Sequence, residues 1–302
     1  MSNLKIKLVK GFKNPYLILL YFKKRWFYRL LTDKKYIKMM YRQKTGKKLN
    51  LNQPETFNEK LQWLKLYDRQ KTYTDLVDKY RVREYIKNMI GEKYLIPLYG
   101  VYDKYEDIDF NILPEKFVIK PNHSSGDIFI CKDKNNIDHD LLRKRIKKWM
   151  KKNHYWVGRE WVYKSINPKL IVEKYMTDES NYELKDYKFH CFDGEPRIIE
   201  VDFDRYTLHK RNFYNKEWKL LDFTIRYPND TSKKITKPSN LSLMLEISRK
   251  LSQGIPYVRI DLYSAYDKVF FGEITFYHAS GYQKITPTTM DYYLGDLINL
   301  PE

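Results

Sequence analysis

The stretch VRIDLYSAYDKVFFGEITF, residues 258–276, reads as a β-strand, a turn and a second strand, with one acidic residue in each strand. A turn centred near Tyr266-Asp267 places Asp261 about opposite Glu273, on the same face of the hairpin. Opposed like charges are unfavourable. Such a pair raises the pKa of one carboxyl group unless a cation lies between the two.

Magnesium is one cation that this hairpin suits, because it binds one or two carboxylates together with phosphate oxygens. Arg259 shares a face with Asp261 and suits a phosphate group, and Thr275 shares a face with Glu273. Taken alone, the hairpin leaves two interpretations open. It is either a metal site or a ladder of salt bridges on an exposed face.

A second stretch, LPEKFVIKPNHSSGDIFICKDK at residues 113–134, predicts a strand, a loop and a strand. Lys120 ends the first strand, and Ser124, Ser125 and Gly126 follow in the loop. Backbone N–H groups and hydroxyls of such a loop can bind phosphate. A solvated lysine at a strand end is the alternative.

Two further acids complete the pattern. Glu173 lies near the end of a predicted buried strand at residues 168–176, and Asp186 shares a strand face with Lys188. Asp186 opens a predicted hairpin over residues 186–204. Each motif is common alone, and their order along the chain is the informative feature.

The remaining pattern predicts an α+β fold, because helices and strands interleave without the regular alternation of a doubly wound sheet. A capping box of Thr56 and Glu59 opens one helix. The predicted helices are residues 56–68, 74–92 with Gly91 as its C-terminal cap, 138–152 and 239–254.

Chain length, aromatic content and cysteine spacing indicate a folded protein with reduced cysteines. The chain has 302 residues, enough for two or three subdomains, and 28 Tyr, 15 Phe and 6 Trp exclude a disordered chain. Its two cysteines, Cys131 and Cys191, lie in apolar strand-like runs and show no disulfide or metal spacing. Reduced core cysteines favour a cytosolic protein.

Most of the net charge of +19 belongs to residues 1–50, which carry 15 Lys or Arg and one acid. Within them, residues 14–31 predict a basic, aromatic amphipathic helix. This helix is neither a signal peptide nor long enough to span a membrane. It suits an anionic membrane surface or an acidic polymer; packing on its own domain and nucleic-acid binding are the alternatives.

The order of these motifs resembles the ATP-grasp superfamily, and more closely the TupA-like ATP-grasp family, named for teichuronopeptide biosynthesis and found among bacterial surface-polysaccharide genes. The resemblance runs from about residue 54 to residue 295. The motifs that carry it are PETFNEKLQWLKLYD, LPEKFVIKPNHSSGD, REWVYKSINPKLIVEKYM, DYKFHCFDGEPRI and VRIDLY followed by FFGEITFYHASG.

This resemblance implies two α+β subdomains that grip ATP, preceded by a helical N-terminal region. The implied domains are a basic amphipathic segment at 1–50, a helical or α+β region at 51–112, a small lid subdomain at 113–176, and a C-terminal subdomain with the metal-binding hairpin at 177–302.

It also implies roles for the nucleotide-binding residues. Lys120 would contact the phosphates under a lid formed by Ser124, Ser125 and Gly126. The remaining contacts would be Glu173 with the backbone of Lys174 and Tyr175 at the adenine edge, Asp186 near the ribose, and Lys188 near the phosphates.

The implied catalytic residues are Arg259, which would stabilise the transferring phosphoryl group, together with Lys120 and Lys188. Asp261 and Glu273 would bind Mg²⁺. The chain departs from the family pattern at Thr275, where many ATP-grasp enzymes have Asn, and in the lid, which has one glycine where many relatives have several.

The implied activity is that of a carboxylate-amine ligase, which activates a carboxylate as an acyl phosphate and releases ADP and phosphate as the amide forms. The implied carboxylate belongs to an acidic surface glycan or polyanionic polymer, and the amine to an amino acid or amino sugar. Candidates for the substrate pocket are Arg159, Glu160, Trp161 and Tyr163. The expected location is the cytoplasm, including the inner face of the cell membrane.

Three other functions remain open from the sequence. Asp202 and Asp204 form a D-x-D pattern, typical of the metal site of a glycosyltransferase that uses a sugar nucleotide. An ATP-dependent glycan kinase would share the ATP site but phosphorylate a hydroxyl. A binding-only scaffold would lack the carboxylates, and Asp261 and Glu273 are present.

Overall fold

The computed structural model describes residues 28–177, 184–203, 208–233 and 235–301. The chain divides into two compact units, residues 1–49 and 50–302. The predicted basic helix at residues 14–31 lies outside the described residues as far as residue 27. In the described part, no helix combines the length and apolar character needed to cross a membrane.

Helix α1 (Asp33–Thr45) belongs to the first unit. The Oγ1 atom of Thr32 caps it by accepting from Lys35 N at 3.4 Å. The helix ends at Gly46, which has a left-handed φ of 76° and donates its N–H to Arg42 O at 2.9 Å. Both ends therefore follow from local capping chemistry.

The second unit begins with α2 (Phe57–Tyr67), as predicted. Its capping box is complete, because Thr56 Oγ1 accepts from Glu59 N and Glu59 Oε2 accepts from Thr56 N. The other helices of this unit are α3 (Thr72–Val77), α4 (Val82–Met89), α5 (His139–Met150), α6 (Tyr155–Gly158), α7 (Leu241–Ser252) and α8 (Thr288–Asp296).

The prediction of one helix over residues 74–92 is wrong. Asp78 has an extended backbone at ψ 111°, and its Oδ1 accepts from Tyr80 N at 2.9 Å and from Arg81 N at 3.2 Å. An aspartate that satisfies nearby backbone N–H groups competes with the helix. The chain therefore breaks between α3 and α4, and Lys79 lies in the break.

Four antiparallel strands form the small sheet, in the order β1-β4-β2-β3. Leu142, Ile146 and Trp149 of α5 share a buried cluster with Phe117 and Val172 of this sheet. The strands are β1 (Leu98–Tyr102), β2 (Phe117–Pro121), β3 (Phe129–Cys131) and β4 (Leu170–Lys174).

Six antiparallel strands form the large sheet, in the order β11-β10-β5-β6-β7-β8. Helix α7 packs on one face of it, where Met244, Ile247 and Leu251 are buried with Phe189 and Cys191. The strands are β5 (Asp186–Phe192), β6 (Glu195–Phe203), β7 (Lys210–Tyr214), β8 (Leu220–Leu221), β10 (Tyr257–Ala265) and β11 (Lys268–Thr275).

A third, two-stranded sheet pairs β9 (Thr224–Ile225) with β12 (Ile285–Thr286). The architecture is therefore α+β with antiparallel sheets, as predicted. Cys131 and Cys191 are free and buried, which confirms that they are core residues. The domain boundaries drawn from the sequence stay predictions.

The β10–β11 hairpin turns at Tyr266 and Asp267, as predicted, and both residues have positive φ. A regular ladder from this turn would pair Asp261 with Gly272. A bulge at Gly272 shifts the register, so that Asp261 pairs with Glu273 while Leu262 pairs with Phe271. A Cβ atom at Gly272 would lie 2.9 Å from Asp261 O, so glycine fits this close approach.

Candidate active site

The face of the large sheet opposite helix α7 is lined with buried charges. Strand alternation places one set of polar side chains there because the other set enters the apolar core. The buried charged residues on these strands are Asp186, Lys188, Glu200, Asp202, Arg211, Arg259 and Asp261.

Arg259 binds both carboxylates of the hairpin. Its Nε and Nη2 atoms donate to the two oxygens of Asp261 at 2.7 and 2.6 Å, and Nη2 lies 3.4 Å from Glu273 Oε1. The same Nη2 donates to Thr275 Oγ1 at 3.3 Å. The structure therefore brings together all four residues that the hairpin pattern singled out.

The two carboxyl groups have pKa values that lie far apart. Burial raises the pKa of Asp261 to about 8, against the opposing effect of Arg259 and with the help of Asp186 and Glu273. Burial also acts to raise the pKa of Glu273, but Lys79 and Arg259 prevail and lower it to about 2. This split is expected for opposed acids that share one site.

Lys188 lies beside Asp261 in the sheet, since the two are register partners on β5 and β10. Its Nζ atom is 3.2 Å from Asp186 Oδ2 and 3.6 Å from Glu200 Oε1, and it is hydrogen-bonded to Asp202 Oδ2. Burial disfavours the charged form, but these carboxylates prevail and raise the lysine pKa. Lys188 is therefore a buried cation.

Asp202, half of the D-x-D pattern, belongs to this same cluster. Arg211 Nε donates to Asp202 Oδ1 at 2.7 Å, and Arg211 Nη2 lies 2.8 Å from Glu200 Oε1. Asp202 is 5% exposed. Its oxygens are therefore occupied by cationic side chains of the chain itself, and Asp204 lies outside the described residues.

His190, Glu200 and His278 form a buried group whose ligand atoms lie within 4.8 Å of one another. His190 Nε2 is 3.1 Å from Glu200 Oε2, and Arg259 Nη1 donates to His278 Nδ1 at 3.0 Å. Arg211 and Arg259 both contact this group. Its hydrogen bond through His278 helps to hold Arg259.

On the small sheet, Lys120 and Glu173 contact each other directly. Lys120 Nζ lies 2.6 Å from Glu173 Oε2, and Arg83 Nη1 lies 3.4 Å from Glu173 Oε1. Arg83 follows the helix break at the start of α4. The sequence interpretation predicted the first two residues and missed Arg83.

The loop after β2 is anchored at its first residues. Asn122 Nδ2 donates to Asp78 Oδ2 at 2.9 Å, and Asn122 N donates to Lys169 O at 2.9 Å. Ser124 is buried, and its Oγ makes no hydrogen bond within the described residues. Ser125 and Gly126 are exposed, and Gly126 has a φ of 77°.

Lys79 joins the two sheets. Its Nζ lies 3.1 Å from Glu273 Oε2 on the large sheet and donates to Ser124 O of the small-sheet loop at 2.9 Å. The sequence interpretation missed Lys79 because it placed the residue inside a regular helix. The available signal was Asp78, directly before Lys79, because an aspartate side chain can break a helix.

The other predicted residues lie at the end of β4 and the start of β5. Lys174 is exposed and Tyr175 is half-buried, directly after Glu173 at the end of β4. Only their backbone groups were predicted to take part. Asp186 lies at the start of β5, beside Lys188.

The profile of the TupA-like ATP-grasp family matches residues 59–299, most of the chain. The chain belongs to the TupA-like ATP-grasp family. The resemblance inferred from the motifs is thereby confirmed. ATP and Mg²⁺, the predicted cofactors, are those of ATP-grasp proteins.

Several solved structures are similar to this TupA-like chain. D-alanine–D-alanine ligase from Bacillus anthracis, complexed with ATP, is 18% identical, with a TM-score of 0.42 over 74% of this chain and 63% of that one. The Helicobacter pylori enzyme is 13% identical, with a TM-score of 0.44 over 82% and 68%. The chain thus spans less than two thirds of the length of the first of these.

A RimK domain protein of ATP-grasp type from Sphaerobacter thermophilus is 10% identical, with a TM-score of 0.42 over 76% of this chain and 70% of that one. Among proteins of curated function, none matches the chain at a significant level.

The residues present fit ATP with Mg²⁺. Asp261, Glu273 and Thr275 offer oxygen ligands of the kind that Mg²⁺ prefers. Ser124 Oγ is a buried hydroxyl with no hydrogen-bond partner in the described part of the chain. The cations that surround these groups and could bind phosphate oxygens are Lys79, Lys120, Lys188 and Arg259.

Proposed function

We propose that this protein is an ATP- and Mg²⁺-dependent carboxylate-amine ligase. The observation that carries the proposal is the cross-strand pair of Asp261 and Glu273, bridged by Arg259 and bordered by Lys188. A site with paired carboxylates and several cations suits phosphoryl transfer, which depends on positioning and charge stabilisation.

The proposed roles follow from these contacts. Asp261 and Glu273, with the Thr275 hydroxyl, would hold Mg²⁺. Bound ATP would supply the phosphoryl group that activates a substrate carboxylate. Arg259, already fixed by Asp261 and His278, would stabilise the charge on that group without further reorganisation.

The small sheet would supply the other half of the nucleotide site. Lys120 and Lys188 would bind phosphate oxygens from the two sheets, beneath a lid of Ser124, Ser125 and Gly126. Glu173, freed from Lys120, would accept from the adenine edge beside the backbone of Lys174 and Tyr175. Asp186 would lie near the ribose.

The proposed carboxylate belongs to an acidic surface polysaccharide or polyanionic polymer, and the proposed amine to an amino acid or amino sugar. The excess of Lys and Arg in residues 1–50 supports a polyanionic partner, either that polymer or an anionic membrane surface. The protein would then act in the cytoplasm, at the inner face of the membrane.

The test of the ATP site is thermal stabilisation by ADP with Mg²⁺, compared with UDP- and GDP-sugars. A ligand at about 100 times its Kd adds roughly 2.7 kcal/mol to the free energy of unfolding. We expect a shift with ADP and Mg²⁺ that Asp261→Asn reduces and that the exposed control Asp107→Asn preserves. A shift only with a sugar nucleotide would favour the glycosyltransferase and would overturn the proposal.

Turnover tests the chemistry. Lys120→Ala and Asp261→Asn should each lower ATP turnover by roughly a hundredfold or more, the loss typical of a group that stabilises developing charge. The exposed control Lys87→Ala should keep full turnover. Free phosphate with an amide product supports the ligase, whereas a phosphorylated acceptor would identify a glycan kinase.

A further inference from the structure

A short segment after helix α6 brings an unusual carboxylate to the site. Helix α6 ends at Arg159, whose left-handed φ of 56° turns the chain. Glu160 follows with an extended backbone, and a single turn of 3-10 helix covers Trp161–Tyr163. Val162 is fully buried in the main core, so the segment is firmly anchored.

Glu160 is buried and has no partner among the residues that the structure describes. The residue is 7% exposed, and its carboxylate makes no hydrogen bond or ion pair within residues 28–177, 184–203, 208–233 and 235–301. By contrast, the buried acids on the face of the large sheet, Asp186, Glu200, Asp202 and Asp261, are ion-paired. Burial of a carboxylate without a counter-charge is costly, so such a group is typical of a binding site.

The segment is tied to the loop that follows β11. Trp161 Nε1 donates to Tyr277 OH at 2.8 Å. Tyr277 is followed by His278, which accepts a hydrogen bond from Arg259. The chain therefore connects Glu160 to the phosphoryl-binding arginine through one tryptophan and two consecutive loop residues.

Glu160 shares one electrostatic neighbour, Tyr163, with Arg259 and Glu273. Burial raises the pKa of Tyr163 well above its usual value, and the negative charges of Glu160 and Glu273 raise it further, while Arg259 lowers it. All three charges therefore act on the Tyr163 hydroxyl.

Hydrogen bonds hold the backbone that precedes Glu160. Lys65 Nζ donates to Gly158 O at 3.0 Å and to Ser280 O at 2.9 Å, which clamps α6 to the loop at residues 278–281. A Cβ atom at Gly158 would lie 3.0 Å from Glu160 Oε1. Ser280 has a positive φ of 57°, a strained conformation that often marks functional sites.

We propose that Glu160 binds the amine substrate as its ammonium ion, an inference that rests on the proposed ligase function. A buried carboxylate is the natural partner of an ammonium group, because the charge-assisted hydrogen bond satisfies both. The aromatic rings of Trp161 and Tyr163 lie in the same turn and favour a cation further. Glu160 thereby selects a primary amine over a hydroxyl.

Calorimetric titration of the full chain, saturated with ADP and Mg²⁺, tests this. The probes are glycine, L-lysine and D-glucosamine, with D-glucose as the neutral counterpart of glucosamine. We expect at least one amine to bind and glucose to bind more weakly. Glu160→Gln should weaken amine binding on the order of thirtyfold, the effect of removing one partner of a buried charge pair.

Two controls keep the result specific. Glu160→Asp retains the charge and should weaken binding less than Glu160→Gln, and the exposed Glu246→Gln should bind like the wild type. Equal amine binding by Glu160→Gln and the wild type overturns the inference, as does the failure of every amine to bind. A lower melting temperature of Glu160→Gln with unchanged amine affinity would show that Glu160 has only a structural role.

The same samples separate this inference from the proposed function. Stabilisation by ADP and Mg²⁺ without any amine effect overturns only the role of Glu160. Loss of nucleotide stabilisation in the wild type overturns the ATP site. The amine titration without nucleotide then still decides whether Glu160 binds an ammonium ion.

Discussion

The two main sheets carry their charges in different ways. On the large sheet, Lys188 alone contacts three carboxylates, and Glu200 is completely buried among cations. On the small sheet, Glu173 is held by Lys120 and Arg83, whose side chains keep 16% and 17% of their exposure. The buried charges of the large sheet therefore form a network of mutual ion pairs. The small sheet instead holds a partly hydrated ion pair that a ligand can replace.

This difference predicts how each sheet tolerates the loss of a charge. A cation that loses its partner inside the large sheet cannot reach water, so it keeps the full cost of burial. A cation that loses its partner on the small sheet can turn towards solvent. Matched Glu→Gln substitutions in the two sheets compare these cases directly.

The largest effect is expected at Glu200. Glu200→Gln removes the negative charge that faces Arg211, Lys188 and His190, and should lower the free energy of unfolding by about 3–5 kcal/mol, the usual cost of breaking a buried pair. Urea unfolding followed by circular dichroism measures it. A loss below about 1 kcal/mol would show that the ion-pair network of the large sheet contributes less to stability than its contacts indicate.

The next effect is the pH dependence of stability, which concerns the large sheet. Burial lowers the pKa of His278 well below its usual value, and it lowers that of His190 despite the opposing effect of Glu200. In the unfolded chain, both rings bind a proton below about pH 6.5. Their contribution to stability is therefore present above that pH and is lost as the pH falls.

The loss should reach at most about 1.4 kcal/mol per pH unit for each histidine below pH 6.5. Urea unfolding at pH 7 and pH 5 measures the slope. His278→Gln should flatten it, whereas His154→Gln, outside this cluster, should leave it unchanged. A slope that survives in His278→Gln would assign the proton uptake to other groups.

A smaller effect is expected at Glu173 on the small sheet. Glu173→Gln should lower the free energy of unfolding by about 1–2 kcal/mol, because Lys120 and Arg83 remain partly hydrated when the charge is removed. The same urea titration gives the value. A loss equal to that of Glu200→Gln would remove the distinction between the two sheets.

The smallest effect is a difference in thiol reactivity without any change in stability. Cys191 lies in the core of the large sheet, and burial raises its pKa to about 12. Cys131 lies on the edge strand β3 of the small sheet, where burial also raises its pKa. Local opening is easier at an edge, so Cys131 should react with a thiol reagent on the order of tenfold faster.

Cys131→Ala and Cys191→Ala identify which thiol gives the fast phase. If the fast phase persists in Cys131→Ala, the core of the large sheet opens more readily than the edge of the small one.

Much of the site could be predicted because its signals are local. The turn at Tyr266-Asp267, the strand ending at Lys120 and the alternation of Asp186 and Lys188 each depend on a few adjacent residues. The capping box of Thr56 and Glu59 is local as well. In these cases the residue types alone specify the conformation.

The rest depends on contacts between distant parts of the chain. The helix break before Lys79 is fixed partly by Asn122, which binds the other oxygen of Asp78 from the small sheet. The roles of Glu200 and His278 arise only when β6 and the loop after β11 meet beside Arg259. Such partners are separated by tens of residues and leave no local pattern.

The bulge at Gly272 has a consequence for how sequence changes act on this hairpin. Up to Phe271, odd-numbered side chains of β11 enter the core, and beyond Gly272 the odd-numbered Glu273 and Thr275 face Asp261 and Arg259. The bulge thus shifts the alternation of side chains along β11 by one residue. Residues before the glycine contribute to the core, and Glu273 and Thr275 after it contribute to the site. Loss of the bulge at unchanged chain length would pair Asp261 with Gly272, preserving the composition of the hairpin while turning both site residues away from Arg259.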